Sequence, residues 1–313
     1  MKFPEALSFA PEHAPLPEAQ PSCTVCGGTL GLSRPSPAYR ACGSCGTLRS
    51  EVPEGDYQEG YYFHDEAHDA RGRARARLQL KHVARMLHRV GAPPHHELRT
   101  LELGCAKGFF VEAALERGID AWGVDFSAPA ITAATQRGLG QRCLLGAADQ
   151  PAPDELPQGF DLVCAWEVIE HLDEPEGLLQ NAFAHLRPGG WLIGSTPNAD
   201  STWAKRLGRG WHGYGIPQFH RLIFTARGLE RLARRTGFGR SAVIDTTEPG
   251  GTLLLKNRAT TIARDRFGSD SRLLRAGLAA GLALPEWALE QTTARLPGFG
   301  GDTLLFAAQK PNG

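Results

Sequence analysis

The chain has no net charge, no long apolar run and no secretion signal. Its 313 residues carry 34 basic and 34 acidic side chains, whereas a protein that works on nucleic acid usually shows a basic excess. It has no run of about 18 apolar residues, the length of a membrane-spanning helix, and no charged N-terminal segment followed by an apolar one. These absences argue against nucleic acid as a partner and against a membrane span, and they predict a cytoplasmic protein.

Cysteines are few, seven in all, and their number is odd. Without a secretion signal, this favours reduced thiols or metal ligands over disulfides. Four of them form the pairs Cys23-x₂-Cys26 and Cys42-x₂-Cys45, a spacing typical of four-thiolate zinc sites. Because four thiolates leave no open coordination position, we predict a structural zinc ribbon over residues 23–52. The alternatives are four unrelated thiols or a redox pair.

The rest of the chain divides around this ribbon. Residues 1–22 contain five prolines and little periodic pattern, which predicts an extended arm. Residues 53–310 are predicted to form one large domain, with insertions at about 197–224 and 248–301. Thr225 is a suitable N-cap for the helix expected between the two insertions. No internal repeat is evident.

The segment LELGCAKGFF, Leu101–Phe110, is typical of a buried parallel strand, a glycine turn and a helix. Such a unit is the usual nucleotide cradle at the carboxyl edge of a parallel sheet. A dinucleotide fingerprint would require glycine where Ala106 and Phe109 stand. Glu102, at the mouth of the turn, would repel a pyrophosphate. The turn therefore suits a ligand that has a ribose and an amine but no phosphate.

This pattern resembles motif I of the class I S-adenosylmethionine (SAM)-dependent methyltransferases, E/D-x-G-x-G-x-G, with Ala106 in place of the middle glycine. Further segments match the family's motifs in the same order: Ala121–Asp125, Ala147–Asp149, Phe160–Trp166 and His185–Gly190. The resemblance implies an α/β fold, a Rossmann-like seven-stranded sheet with helices on both faces. Thr303–Lys310 would be its antiparallel closing strand, and the zinc ribbon would be a small addition.

The resemblance also implies which residues bind SAM. Asp125 would accept hydrogen bonds from the ribose hydroxyls, and Asp149 would hold the adenine amine. Tyr62 belongs to a segment that in related enzymes folds over the cofactor. The full set of implied SAM contacts is Glu102, Gly104, Ala106, Gly108, Asp125, Phe126, Asp149, Trp166 and Tyr62.

A group of ionisable residues follows the Phe160–Trp166 strand. If Glu167 opens a helical turn, then Glu167, Glu170 and His171 lie on one face. Two carboxylates and an imidazole on one face form either a proton-handling group or part of a divalent-metal site.

This E-x-x-E-H motif is similar to that of the ubiquinone-biosynthesis O-methyltransferases and of the small-RNA 3′-end 2′-O-methyltransferases, which use it to hold a divalent cation. The RNA enzymes add a histidine in the context H-K/R-x-x-x-T, which His220–Thr225 fits. The resemblance implies a second divalent ion, held by Glu167, Glu170, His171 and His220, that lowers the pKa of a substrate hydroxyl. General-base catalysis by either histidine and catalysis by proximity alone are the alternatives.

The sequence thus predicts a SAM-dependent methyltransferase of biosynthetic metabolism whose acceptor is a small molecule, most simply at oxygen, with nitrogen or carbon as alternatives. The rival is an RNA methyltransferase with a zinc ribbon, favoured by the arginines of the predicted helix Arg71–Val90 but opposed by the neutral charge. A third hypothesis is a non-catalytic SAM-binding protein. The expected protein partners are a second copy of the chain, in a homodimer, or a carrier or partner protein bound through the ribbon.

Overall fold

The computed structural model describes residues 22–32, 36–55, 66–94, 98–151, 153–208, 211–246 and 301–312. The predicted arm up to residue 21, the insertion at 248–300 and Tyr62 lie outside the described residues. Within the described part of the chain, no helix is long and apolar enough to cross a membrane.

The larger unit is a seven-stranded sheet. Its strands are β4 (Thr100–Leu103), β5 (Ala121–Asp125), β6 (Cys143–Leu145), β7 (Phe160–Trp166), β8 (Leu186–Pro197), β10 (Arg240–Thr246) and β11 (Thr303–Gln309). They lie side by side in the order β10-β11-β8-β7-β4-β5-β6. Six strands run parallel, and β11 runs antiparallel between β10 and β8. The predicted Rossmann-like sheet and its antiparallel closing strand are confirmed.

Helices cover both faces of this sheet. They are α1 (Glu66–Val90), α2 (Phe109–Leu115), α3 (Ala128–Ala134), α4 (Glu176–His185) and α6 (Ala226–Arg235), whereas α5 (Thr202–Leu207) contributes Ala204 to a separate apolar cluster. Strand β7 is buried at six of its seven residues, so it needs an apolar layer on each side. Leu80 and Val83 of α1 belong to one layer, and Leu178 of α4 and Leu232 of α6 belong to the other. Helix α1 begins at Glu66, five residues earlier than predicted.

The cysteine-containing segment forms a second, smaller sheet. Strands β1 (Leu30–Leu32), β2 (Tyr39–Cys42) and β3 (Leu48–Ser50) form an antiparallel meander. A fourth strand, β9 (Leu222–Ile223), pairs with β3 and comes from the distant region predicted as the first insertion. The sequence did not anticipate this pairing. A separate apolar cluster, which includes Tyr39, Leu48, Trp211, Tyr214 and Ile223, packs beside this sheet.

Candidate active site

The turn between β4 and α2 is built from residues with left-handed backbone. Gly104 has φ 78°, Ala106 φ 47° and Gly108 φ 72°. A Cβ on Gly104 would lie 2.5 Å from Val168 Cγ2, and one on Gly108 would lie 2.8 Å from Cys143 Sγ. Both glycines are therefore required by conformation and by space. Ala106 adopts a conformation that costs an alanine about 1–2 kcal/mol, which explains why glycine is usual at this position of the motif.

Asp125, at the end of β5, holds this turn in place. Its Oδ2 accepts the backbone N–H of Ala106 at 2.8 Å, and its Oδ1 accepts that of Ser127 at 2.9 Å. The side chain is buried but still lines a cavity. A carboxylate offers about four lone-pair positions, so Asp125 can accept further hydrogen bonds from a ligand.

Glu102 is buried within the sheet, on the floor of the same cavity. Burial, together with the neighbouring Cys143 and Asp125, raises the pKa of its carboxyl group. Its Oε2 has no hydrogen-bond partner among the described residues. A buried polar atom is normally paired, so this oxygen is available to a donor on a bound ligand.

The cavity has a volume of about 700 Å³, within the usual range for small-molecule sites. Seven of the residues predicted to bind SAM line it: Glu102, Gly104, Ala106, Asp125, Phe126, Asp149 and Trp166. Gly108 lies behind the turn, against Cys143. The ring of Phe126 is half exposed, at 50%.

The sequence does not predict several residues of the cavity wall, among them Glu54, Arg75 and Gln79. Arg75 and Gln79 come from α1, where polar residues are typical of a solvated helix face. Because no motif marks them, only the packing of α1 beside the cavity reveals their position.

Glu167 does not open a helical turn. It has a left-handed backbone, φ 53°, and a short 3₁₀ turn follows at Ile169–His171. The expectation that Glu167, Glu170 and His171 share one helical face is therefore wrong, because Glu167 has a non-helical backbone and lies outside the 3₁₀ turn. The Glu167 carboxylate lines the cavity and accepts a hydrogen bond from Ser195 Oγ at 2.7 Å.

Glu170, His171 and His220 do come together. One candidate ligand atom from each lies within 4.8 Å of the other two, and Glu167 is not in this group. His171 Nε2 is 3.9 Å from Glu170 Oε1. Glu170 is fully buried; its Oε2 accepts from Thr196 Oγ1 at 3.0 Å, while its Oε1 has no hydrogen-bond partner among the described residues.

Both imidazoles are held in the same tautomer. His171 Nδ1 is 3.0 Å from the carbonyl oxygen of Phe219, and His220 Nδ1 is 2.9 Å from that of Gly213. A carbonyl oxygen can only accept, so each Nδ1 carries the proton and each Nε2 presents a lone pair. Backbone carbonyls commonly fix metal-ligating histidines in this way.

Burial sets the protonation of this cluster. It lowers the pKa of His171 to about 4, with the neighbouring His220 adding to the effect, and it also lowers the pKa of His220. Burial, together with the charge of Glu167, raises the pKa of Glu170. Near pH 7 the cluster therefore offers two neutral imidazoles beside the buried carboxyl group of Glu170.

The four cysteines predicted to bind zinc also converge. Sγ of Cys23 lies 3.9 Å from that of Cys45, and Sγ of Cys26 lies 3.5 Å from that of Cys42. A tetrahedral site with Zn–S bonds of about 2.3 Å has S···S distances of about 3.8 Å. The hydrogen bond between Cys23 and Cys45 lowers the pKa of Cys45 to about 4. The sulfur positions and this thiolate character fit a zinc ion.

Comparison with known proteins gives three kinds of similarity. A family model described as a methyltransferase domain matches residues 71–239, more than half of the chain. Among curated proteins, the chain is 29% identical over 137 residues to the ubiquinone biosynthesis O-methyltransferase of Idiomarina loihiensis, covering 40% of this chain and 55% of that protein. The enzyme of the same name from Chromobacterium violaceum is 27% identical over 158 residues, covering 45% and 64%. The chain thus matches less than two thirds of the length of either relative.

Solved structures match the chain over about two thirds of its length. A SAM-dependent methyltransferase from Mesorhizobium loti gives a TM-score of 0.45 at 19% identity, covering 71% of this chain and 94% of that one. A possible histamine N-methyltransferase from Thermotoga maritima gives 0.43 at 20% identity, covering 68% and 82%.

Proposed function

The chain belongs to the class I SAM-dependent methyltransferases, and on this basis we propose that it transfers the methyl group of SAM to a hydroxyl oxygen of a small molecule. One observation carries the proposal: a single cavity joins the glycine turn and Glu102 at one end to Glu167 and His171 at the other. Cofactor and acceptor can then meet in the same cavity. The names of the two O-methyltransferase relatives support oxygen as the acceptor atom.

The end of the cavity near the glycine turn fits SAM, a ligand that carries no phosphate and needs no phosphate-binding groups. The unpartnered Oε2 of Glu102 would accept a hydrogen bond from the ligand. Asp125 would accept from the ribose hydroxyls and Asp149 from the adenine amine, and the exposed ring of Phe126 would cover the nucleoside. SAM supplies an electrophilic methyl group on its sulfonium centre.

At the acceptor end, the residues must handle the hydroxyl proton. As the oxygen–methyl bond forms and the sulfur–methyl bond breaks, the hydroxyl loses its proton. His171 lines the cavity, but burial lowers its pKa to about 4, which makes it a weak base. Proton transfer to His171 alone is therefore the less favourable route.

A divalent cation fits the cluster better. Glu170 Oε1, His171 Nε2 and His220 Nε2 would hold it, and it would lower the pKa of the acceptor hydroxyl. A cation there would also compensate the charge of the buried Glu170 carboxylate. The mixed carboxylate and imidazole donors suit a zinc or manganese ion better than calcium. Glu167 would contact the acceptor instead of the ion.

We further propose that the four cysteines hold one structural zinc ion, separate from the cavity. The small sheet is too short to bury an extensive core of its own, and a metal ion is the usual stabiliser of such a unit.

The proposal is tested with the purified full-length protein, SAM carrying a ¹³C-methyl group, and a panel of phenols, catechols and sugars. S-adenosylhomocysteine should form only with an acceptor, and the ¹³C shift of the product should be that of a methyl ether. A methylamine or a C-methyl product would contradict O-methylation, and SAM binding without turnover of any acceptor would favour a non-catalytic role.

A further inference from the structure

Both imidazoles of the cluster are hydrogen-bonded to one irregular segment, residues 213–223, which we call the strap. The carbonyl of Phe219 receives the His171 Nδ1–H, and that of Gly213 receives the His220 Nδ1–H. His220 itself belongs to the strap. The directions of both Nε2 lone pairs, and hence the geometry of the cluster, depend on where the strap lies.

The strap is held by the cysteine-containing segment. Ser50 Oγ donates to Pro217 O at 2.7 Å, and the N–H of Ser50 donates to Arg221 O at 2.8 Å. Gly55 N–H donates to Gln218 O at 3.0 Å. The hydroxyl of Tyr39 donates to the carbonyl of His220 at 3.1 Å. Residues 39–55 thus satisfy the carbonyls at 217, 218, 220 and 221.

The same contacts lead back to the cysteines. Strand β3 begins three residues after Cys45, and its Leu48 pairs with Ile223 of the strap. Thr225 Oγ1, just beyond the strap, donates to the carbonyl of Cys45 at 2.6 Å. The Cys42–Cys45 pair, strand β3 and the strap are therefore linked by one continuous set of hydrogen bonds.

We propose that the cysteine-containing sheet positions the reaction site, and that Tyr39 is its positioning residue. By donating to the carbonyl oxygen of His220, the Tyr39 hydroxyl fixes the backbone of that residue. It thereby orients the Nε2 atom of His220 toward Glu170. The ring of Tyr39 is 1% exposed and packs on Tyr214, with centroids 5.6 Å apart. A phenylalanine would keep this packing and lose only the hydrogen bond. The catalytic part of the inference rests on the proposed function.

The test compares Tyr39→Phe with the wild type and with Ser44→Ala, which removes an exposed hydroxyl from the same segment. The readout that needs no acceptor is ¹⁵N NMR of labelled histidines, together with titration of Mn²⁺ into the zinc-loaded full-length protein. In Tyr39→Phe, but not in Ser44→Ala, we expect the His220 ring signals to shift. We also expect the affinity of Tyr39→Phe for Mn²⁺ to fall about three- to tenfold, the change expected for the loss of one buried hydrogen bond.

With catechol as the acceptor probe, kcat should fall by a similar factor while the KM for SAM stays unchanged. Ser50→Ala, which removes a different bond to the strap, should reproduce the pattern. Unchanged His220 signals and Mn²⁺ affinity in both variants would overturn the inference. So would a parallel loss of SAM affinity and melting temperature, since that indicates a general effect on stability. If the wild type methylates no acceptor of the phenol, catechol and sugar panel, the proposed function is overturned, while the NMR and Mn²⁺ results still decide the positioning role.

Discussion

Ala106 and Asp125 are joined by a hydrogen bond of 2.8 Å from the backbone N–H of Ala106 to the Asp125 carboxylate. This bond links the turn after β4 to the end of the neighbouring strand β5. The same carboxylate lines the cavity. Asp125 therefore both shapes the turn and faces the ligand, so its loss should affect cofactor binding in two ways.

Replacing Asp125 by alanine should weaken SAM binding by about 1–3 kcal/mol, since buried donors are left unpaired. Titration calorimetry measures this change directly. The exposed acid Asp154 provides the matched control, because Asp154→Ala removes the same charge away from the cavity. Equal SAM affinities for both variants would refute the assigned role of Asp125.

Ala106→Gly should stabilise the protein by up to about 1 kcal/mol, because glycine adopts φ 47° without the strain of a Cβ. Ala133→Gly, in the ordinary helix α3, should have the opposite effect, costing about 1 kcal/mol. Thermal unfolding of the two variants shows the sign of each change. A destabilised Ala106→Gly variant would mean that the turn does not hold the left-handed conformation in solution.

Glu170→Gln keeps the shape of the side chain and removes its charge. If the cluster holds a catalytic divalent ion, turnover should fall at least tenfold, by analogy with other lost transition-state interactions, while SAM affinity stays near that of the wild type. Activity should also be lost on mild chelation and return with Mn²⁺ or Zn²⁺.

Two histidine variants separate the competing mechanisms. Normal turnover by Glu170→Gln, combined with inactive His171→Ala or His220→Ala, would favour general-base catalysis. If all three variants remain active, proximity alone carries the reaction.

Elemental analysis of the protein should find about one zinc ion bound by the cysteines, with Zn–S distances near 2.3 Å by X-ray absorption. The double variant Cys23→Ser/Cys26→Ser should lose it. Cys164→Ser changes a thiol buried in β7, far from this cluster in the fold, and should retain the zinc. Full zinc occupancy in the double variant would show that the metal is bound elsewhere.

Much of the fold follows from local sequence patterns. The segments Ala121–Asp125 and Phe160–Trp166, which match the family's motifs, coincide with β5 and β7. The second is recognisable because a strand buried on both faces needs a nearly continuous apolar run. Thr225 was expected to cap α6, and its side chain accepts the N–H of Gly228 at 3.0 Å. A capping oxygen acts within three residues of itself, so no distant contact is needed to predict it.

Other features depend on contacts that the sequence does not encode locally. A two-residue strand such as β9 has no periodicity, so nothing in Leu222–Ile223 indicates its pairing with β3. The left-handed backbone of Glu167 opposes the local preference of an L-residue and must be imposed by its surroundings.

By itself, the sequence determined the parallel sheet, the glycine turn for a nucleoside ligand and the two cysteine pairs, because each is specified by residue type and short spacing. Only the tertiary structure showed that His220 lies next to Glu170 and His171, while Glu167 lies outside this cluster. It also showed that the cysteine-containing sheet is hydrogen-bonded to the strap that carries His220. Those relationships are fixed by hydrogen bonds between residues far apart in the chain, whose partners become known only when the chain is folded.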